Sequence, residues 1–278
     1  MSVVYNRHLG GLSMSQEEKN WVGLHLAGVN TAKSAVVSFA IRNGIPEVVR
    51  MMDKVGPLGK VTADERLLEI ISQCHPSDVI FVDAPLSSPP CVSCLETVCH
   101  GAMSCSDIRV AYISALAQKA GARRRPVDPQ AHRVWDVLQM KDRRFVDPTY
   151  TSNHAPLVIR AQVLEKRLRL MYPLVRFKET HISLALMRMA GALNMSLGEL
   201  KQFRKFENGV QIRQKIVTSM LESRLAKLSP SQFENVSHSL EAFLAFISAW
   251  LCVQDYLERL QPAPRQYPAG ESWVWLPK

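Results

Sequence analysis

The sequence predicts an α/β fold built on a mixed sheet, and three observations carry that prediction. The run Val79-Ile80-Phe81-Val82 is apolar throughout, passes directly into Asp83 and is stopped by Pro85. Such a run, bounded by turn signals, reads as a strand covered on both faces, and an acid at its carboxyl end sits where open α/β sheets collect ligands. Ahead of it, short apolar segments joined by Gly/Asn turns have the signature of an antiparallel meander. Between meander and run lies one amphipathic segment, a crossover that makes the Val79 strand parallel to a neighbour.

In chain order, Met1 to Asn20 is read as an N-terminal arm without the apolar stretch and small-residue site of a secretory signal. Residues 21–277 are expected to form a single domain. Its strands are Trp21 to Ala27, Ser34 to Ile41, closed by the turn pair Asn43-Gly44, and Glu47 to Lys54. Ala63 to Cys74 is an amphipathic helix with Thr62 as N-cap. From about 85 to 160 the chain is irregular and rich in Pro, Cys and Arg, an insertion carrying one helix from Ser106 to Lys119. A helix from Leu157 to Tyr172 precedes a strand at Leu174 to Lys178 that ends in Glu179. Helices follow at Ile182 to Asn194 and Val210 to Lys227, then a long one from about Val236 to Leu260. A Pro-rich linker, Pro262 to Pro268, leads to an edge strand at Ser272 to Leu276.

No stretch reaches the roughly 18 apolar residues of a membrane helix, so the expectation is a cytoplasmic protein with no membrane partner. The net charge is +9, from 34 Lys plus Arg against 25 Asp plus Glu. Between Arg123 and Arg169 there are 11 basic and 5 acidic residues, which places +6 of the excess in about a sixth of the chain. Arg123, Arg124, Arg125, Arg143 and Arg144 are the candidate nucleic-acid contacts, because neutralising phosphates releases counterions. A solvated, solubilising surface is the competing reading of the same run.

The acids suggest a constellation. The long helix carries His238 and Glu241 near its start, three residues apart and so neighbours on one face, with the small residues Ala245, Ser248 and Cys252 continuing that face toward the sheet. Asp83 and Glu179 at two strand ends, Glu241 on the helix and His25 on the first strand would then meet. Paired hard cations about 4 Å apart, which phosphodiester cleavage uses to steady attacking and leaving oxygens, need such oxygen-rich ligands. Asp83 as a plain loop cap is the bland alternative.

Several segments, taken in order, resemble a known family. Gly23 to Gly28 (GLHLAG), Ile80 to Leu86 (IFVDAPL), Phe177 to His181 (FKETH), His238 to Ala245 (HSLEAFLA) and Glu271 to Pro277 (ESWVWLP) resemble the predicted RNase H-like nucleases known as domain of unknown function four hundred and twenty-nine. The resemblance spans about Trp21 to Pro277. It implies an RNase H-like mixed five-stranded sheet with flanking helices, and a divalent magnesium or manganese site whose acids would be Asp83, Glu179 and Glu241. Three departures accompany it: His25 stands where the family has an Asp, Glu241 replaces an Asp, and Tyr150 to Asn153 lacks the family's Gln and Arg. An imidazole in place of a carboxylate suits zinc or manganese better than magnesium. Two functions follow: a nucleic-acid-binding, metal-dependent nuclease in which His25 or His238 assists proton transfer, or an inactive binding or scaffold protein on the same fold. A protein partner or a homo-oligomer fits the second. A nucleotide-binding role lacks a Gly-rich phosphate loop.

Cys91, Cys94, Cys99 and Cys105 fall as C-x2-C-x4-C-x5-C directly after Asp83, with His100 as a substitute ligand. Without a secretion signal, four local thiols read as a zinc site, with an iron-sulfur cluster or unligated thiols as alternatives. Cys74 and Cys252 sit in apolar helix contexts and read as core. His75 is expected to serve a helix end, His181 to cap or to approach the acids, and Trp273 and Trp275 to pack.

Overall fold

The computed structural model describes residues 20–28, 30–120, 128–138, 154–205, 207–262 and 274–278. Three strands, β1 (Asn20–His25), β2 (Ala35–Arg42) and β3 (Ile45–Met52), form the expected meander. Asn43 and Gly44 both take positive φ, 52° and 75°, the backbone that a two-residue hairpin turn demands. Helix α1 (Ala63–Ser72) starts at Thr62, whose Oγ1 accepts from Glu65 N–H while Glu65 accepts from Thr62 N–H, a reciprocal cap. The chain then returns as β4 (Pro76–Val82), parallel to β1, and later as β5 (Arg176–Glu179), parallel to β4. The sheet order is β3-β2-β1-β4-β5, a mixed five-stranded sheet.

Alternation sorts the strand side chains into two cores. Val22 and Leu24 of β1, Val36 of β2, and Ile80 and Val82 of β4 pack on one face with Leu67 and Ile71 of α1 and Leu164 and Leu168 of α4 (Ala155–Met171). Val37 and Phe39 of β2 and Phe81 of β4 pack on the other with α9 (Leu240–Tyr256). The result is an α/β/α sandwich. Arg160 of α4 fastens the first face by donating to Asp64 of α1, Ser34 Oγ and Ala27 O.

Helix α9 lies against the sheet because Gly23 has no side chain. A Cβ there would come within 1.9 Å of Ala249 N and 2.5 Å of Ala245 O. Farther along, Cys252 Sγ donates to Val79 O at 3.3 Å, Asp255 pairs with Lys178 at 2.7 Å, and Tyr256 meets Trp21 with ring centroids 4.9 Å apart. The helix therefore runs antiparallel to β1, and its first turn, with Glu241, lies toward the rim where β1 and β4 end.

The expected long helix from Val236 to Leu260 is two helices. The first, α8 (Pro230–His238), meets α9 at a bend of 112°. The break falls at Ser239, whose φ of −88° and ψ of 119° are extended and whose Oγ accepts from Ala242 N–H. A serine hydroxyl competes well for the free N–H groups that open a helix, and the cap outcompetes continuation. Arg213 of α7 (Gly209–Glu222) satisfies the carbonyls left at the break, donating to Ser237 O at 2.8 Å and His238 O at 3.1 Å. The helix expected from Ile182 to Asn194 ends earlier, as α5 (Ile182–Arg188), with α6 (Leu197–Leu200) after it.

Within the stretch read as an insertion, α2 (Ile108–Ala120) matches expectation, but α3 (Val134–Leu138) was not anticipated. The 128–138 piece is integral: Trp135 is buried in the α9-side core. The C-terminal strand, β7 (Trp275–Pro277), pairs with β6 (Leu260–Pro262) in a separate two-stranded sheet, and an isolated bridge from Val274 to Glu179 ties it to the main one. No single helix among the described residues is long and apolar enough to cross a membrane.

Candidate functional site

Register brings His25, Asp83 and Thr180 to one level at the carboxyl rim. Leu24 pairs with Val82 and Val82 with Glu179, while Asp83 N donates to Leu24 O and Thr180 N to Val82 O. Alternation along β4 turns Asp83 to the face of Phe81 and α9. Alternation along β5 turns Glu179 to the face of Phe177, toward α4. Alternation assigns the two acids to different faces, yet both lie close enough to His181 to act on its pKa.

Glu179 is buried and fully engaged. Arg133 Nη1 and Nη2 donate to its Oε2 and Oε1, each at 2.8 Å, and Leu86 N donates to Oε2 at 2.9 Å. The same guanidinium donates to Asp136 Oδ1 at 3.1 Å and to Ser87 Oγ at 3.2 Å, and Asp136 Oδ2 accepts from the Arg133 backbone at 2.9 Å. Burial alone would lower the arginine's pKa, but Asp136 and then Glu179 overcome it and hold it charged. The cation between these carboxylates is therefore a side chain of the protein itself.

Asp83 sits in a looser setting. His25 Nδ1 lies 3.7 Å and Arg204 Nη2 3.6 Å from its Oδ2, and Ile182 N–H points at Oδ1 from 3.5 Å. Burial pushes the carboxyl up, yet His25, Arg204 and His181 outweigh it and bring the pKa down to about 2. His181 caps α5 with Nδ1 accepting from Leu184 N–H at 3.4 Å, and its ring packs 5.9 Å from that of Trp135. Neutral His181 accordingly carries its hydrogen on Nε2. Burial lowers its pKa, against the pull of Asp83.

Glu241 lies in the first turn of α9, where the helix dipole favours an acid, and accepts from Ser239 Oγ at 3.4 Å. His238 closes α8, so the two are separated by the break instead of sharing a helix face. The structure thus joins His25 to Asp83, ties Glu179 to Arg133, and leaves Glu241 and His238 on different elements.

Cys91 and Cys105 are partly buried and Cys94 and Cys99 exposed, all with free thiols. The Cys91 thiol is pushed up, first by burial and then by Cys105, Asp128, Cys99 and Cys94. Among the described residues, no three His, Cys, Asp or Glu side chains are placed to hold a metal ion. Cys74 and Cys252 are buried as expected, the latter pushed up to about 12 by burial. Arg123, Arg124, Arg125, Arg143 and Arg144 lie outside the described residues, as do Tyr150 to Asn153, Trp273 and all but the last residue of the N-terminal arm.

Arg133, Asp136 and Arg204 did not stand out in the sequence. The signal was in HRVWDVL (His132 to Leu138), where an arginine and an aspartate three apart are interleaved with Val134, Trp135 and Val137. Charges embedded in an apolar helical turn are buried, and buried charges are paired. Compared with protein-family models, curated proteins and solved structures, the chain matches none.

Proposed function

We propose that this chain is a nucleic-acid-binding protein on an RNase H-like sheet whose acidic rim no longer performs metal-dependent phosphodiester cleavage. The fold half of the reading is supported by the order β3-β2-β1-β4-β5 with β2 alone reversed, the sheet that the resemblance implies. The binding half is supported by the net charge of +9 and its concentration between Arg123 and Arg169. One observation carries the loss of cleavage: both oxygens of Glu179 are taken by Arg133 and Leu86 N–H. A magnesium or manganese pair would have to displace a buried guanidinium, and Asp83 already faces two basic side chains. These residues do not fit the metal pair of an RNase H-like nuclease.

At the cysteine loop the donor chemistry, four thiols within fifteen residues, suits a softer metal, although the thiols are not placed to hold one as they stand. Cys91, Cys94, Cys99 and Cys105 would hold zinc, drawn together by the metal as thiolates, in a closed and structural site. We place the protein in the cytoplasm, where a reducing environment suits free thiols.

The test is incubation with labelled RNA and DNA in magnesium, manganese and zinc, alongside binding titrations in rising salt. The expected result is no cleavage with any metal and an affinity that falls steeply with salt. Metal-dependent cleavage abolished by Asp83→Asn would overturn the reading in favour of an active nuclease at the altered site. Elemental analysis of the purified chain decides the cysteine loop, with one zinc per chain expected.

A further inference from the structure

We propose that the turn closing α4 is a docking surface for an anionic lipid membrane, with Leu170 and Leu174 entering the headgroup boundary and Lys166, Arg167, Arg169 and Arg176 facing the phosphates. The inner face of α4, through Leu157, Val158, Ala161, Leu164 and Leu168, is buried in the core. Its outer face keeps Ile159 and Val163 exposed, and at the end of the helix Leu170 is 85% and Leu174 70% exposed, with Met171 between them. Exposed apolar side chains are ordinary singly, but a cluster at one turn marks a contact site.

The turn is held rigidly. Tyr172 N donates to Leu168 O at 2.8 Å, Tyr172 OH to Ser72 O at 3.0 Å, and Val175 N to Tyr172 O at 3.0 Å. Arg176 Nη1 donates to both Pro173 O and Val175 O at 2.8 Å, and Arg169 Nε to Val175 O at 3.3 Å. The frame that fixes the backbone also keeps the leucines turned outward, so they do not fold back onto the protein.

Charge chooses the occupant. Across 165–176 four basic side chains stand against Glu165, which is itself held by Arg169 and by Phe177 N–H. Nucleic acid would meet the charges but offers little to a leucine, and a second copy would bring the same positive field. An anionic bilayer meets both, since apolar insertion and basic attraction add in peripheral binding. The sequence excluded a membrane partner on spanning length alone, a criterion that surface docking does not need. This surface is independent of the acidic rim; it shares Lys166, Arg167 and Arg169 with the basic stretch behind the nucleic-acid reading, and Leu170 and Leu174 are its own.

The test is sedimentation of the full chain with phosphatidylcholine vesicles, pure or containing about 30% phosphatidylserine. The expected result is binding at least roughly tenfold stronger to the anionic vesicles, and a further loss of roughly tenfold or more in the Leu170→Ser/Leu174→Ser variant. That variant should keep the wild-type melting temperature and RNA affinity. Absence of vesicle binding, or equal binding by the variant, overturns the proposal. An equal loss of RNA affinity would reassign the turn to nucleic acid, and a changed mass of the lipid-free protein would reassign it to self-association; either result also overturns it.

Discussion

Arg133 and Glu179 meet in a fork-to-fork pair, two N–H···O contacts of 2.8 Å, with side chains only 2% and 4% exposed. Asp136 flanks the guanidinium from its other side at 3.1 Å. Replacing Arg133 leaves two buried carboxylates without the guanidinium that neutralises them, while replacing the whole set by apolar residues removes the desolvation penalty along with the attraction. Arg133→Met should destabilise the fold by about 3–5 kcal/mol. Combining it with Glu179→Leu and Asp136→Leu should recover more than half of that loss. Urea unfolding measures both; a triple variant no better than the single one would show that the trio contributes more than mutual neutralisation.

Asp83 makes the acid limb of stability testable. Its carboxyl titrates at about 2 in the folded chain, against about 3.9 unfolded. A folded-state pKa below the unfolded one means that the stabilisation is fully present above pH 4 or so and is lost as pH falls toward 2. The amount is about 2 kcal/mol. Asp83→Asn should therefore be less stable than wild type at pH 5, with the gap closing across that window. A constant gap would mean that shape, not charge, distinguishes the two.

How much of this was legible in the sequence follows from the range of each interaction. The Val79 to Val82 strand, the Asn43-Gly44 turn and the Thr62 cap are local, since period, turn chemistry and capping act over a few residues; the turn and the cap stand where they were read, and the strand begins three residues earlier, at Pro76. Of the candidate site, the pairing of His25 with Asp83 follows from adjacent parallel strands. The guanidinium bound by Glu179 did not follow, although both acids lie close enough to His181 to act on its pKa. Glu179 pairs with Val82, one residue short of Asp83. Arg133, 46 residues from Glu179, then captures it by a contact with no local signature. At Ser239 the apolar pattern continues through a bend of 112°, so periodicity alone joined α8 to α9.

That bend gives a third prediction. Arg213 donates to Phe203 O at 2.7 Å as well as to Ser237 O and His238 O, and burial lowers its pKa with Glu241 pulling the other way. Arg213→Leu would strip three carbonyls of a charged donor and should destabilise by about 2–3 kcal/mol. Ser239→Ala removes one capping contact and should lose about 1 kcal/mol. Thermal unfolding of the two variants checks the order. If Ser239→Ala were the more damaging, the bend would be held by its cap and not by the arginine.

Gly23 carries the last prediction, because the position of α9 depends on it. A methyl group there would overlap the backbone of Ala249 and Ala245, not the end of a flexible side chain. The helix must move or the strand must bow, and overpacking against backbone costs about 3 kcal/mol or more. Gly191 is the control, since a Cβ there meets nothing within 4 Å and its φ is not positive. Gly191→Ala should change stability by less than about 0.5 kcal/mol. In a folded Gly23→Ala chain the displaced helix would also carry Trp250, whose Nε1 donates to Leu225 O at 3.1 Å, away from its partner. Near-ultraviolet circular dichroism of Gly23→Ala should therefore differ from wild type even where the far-ultraviolet spectrum does not, and an unchanged melting temperature would mean that α9 is not seated on the sheet at Gly23.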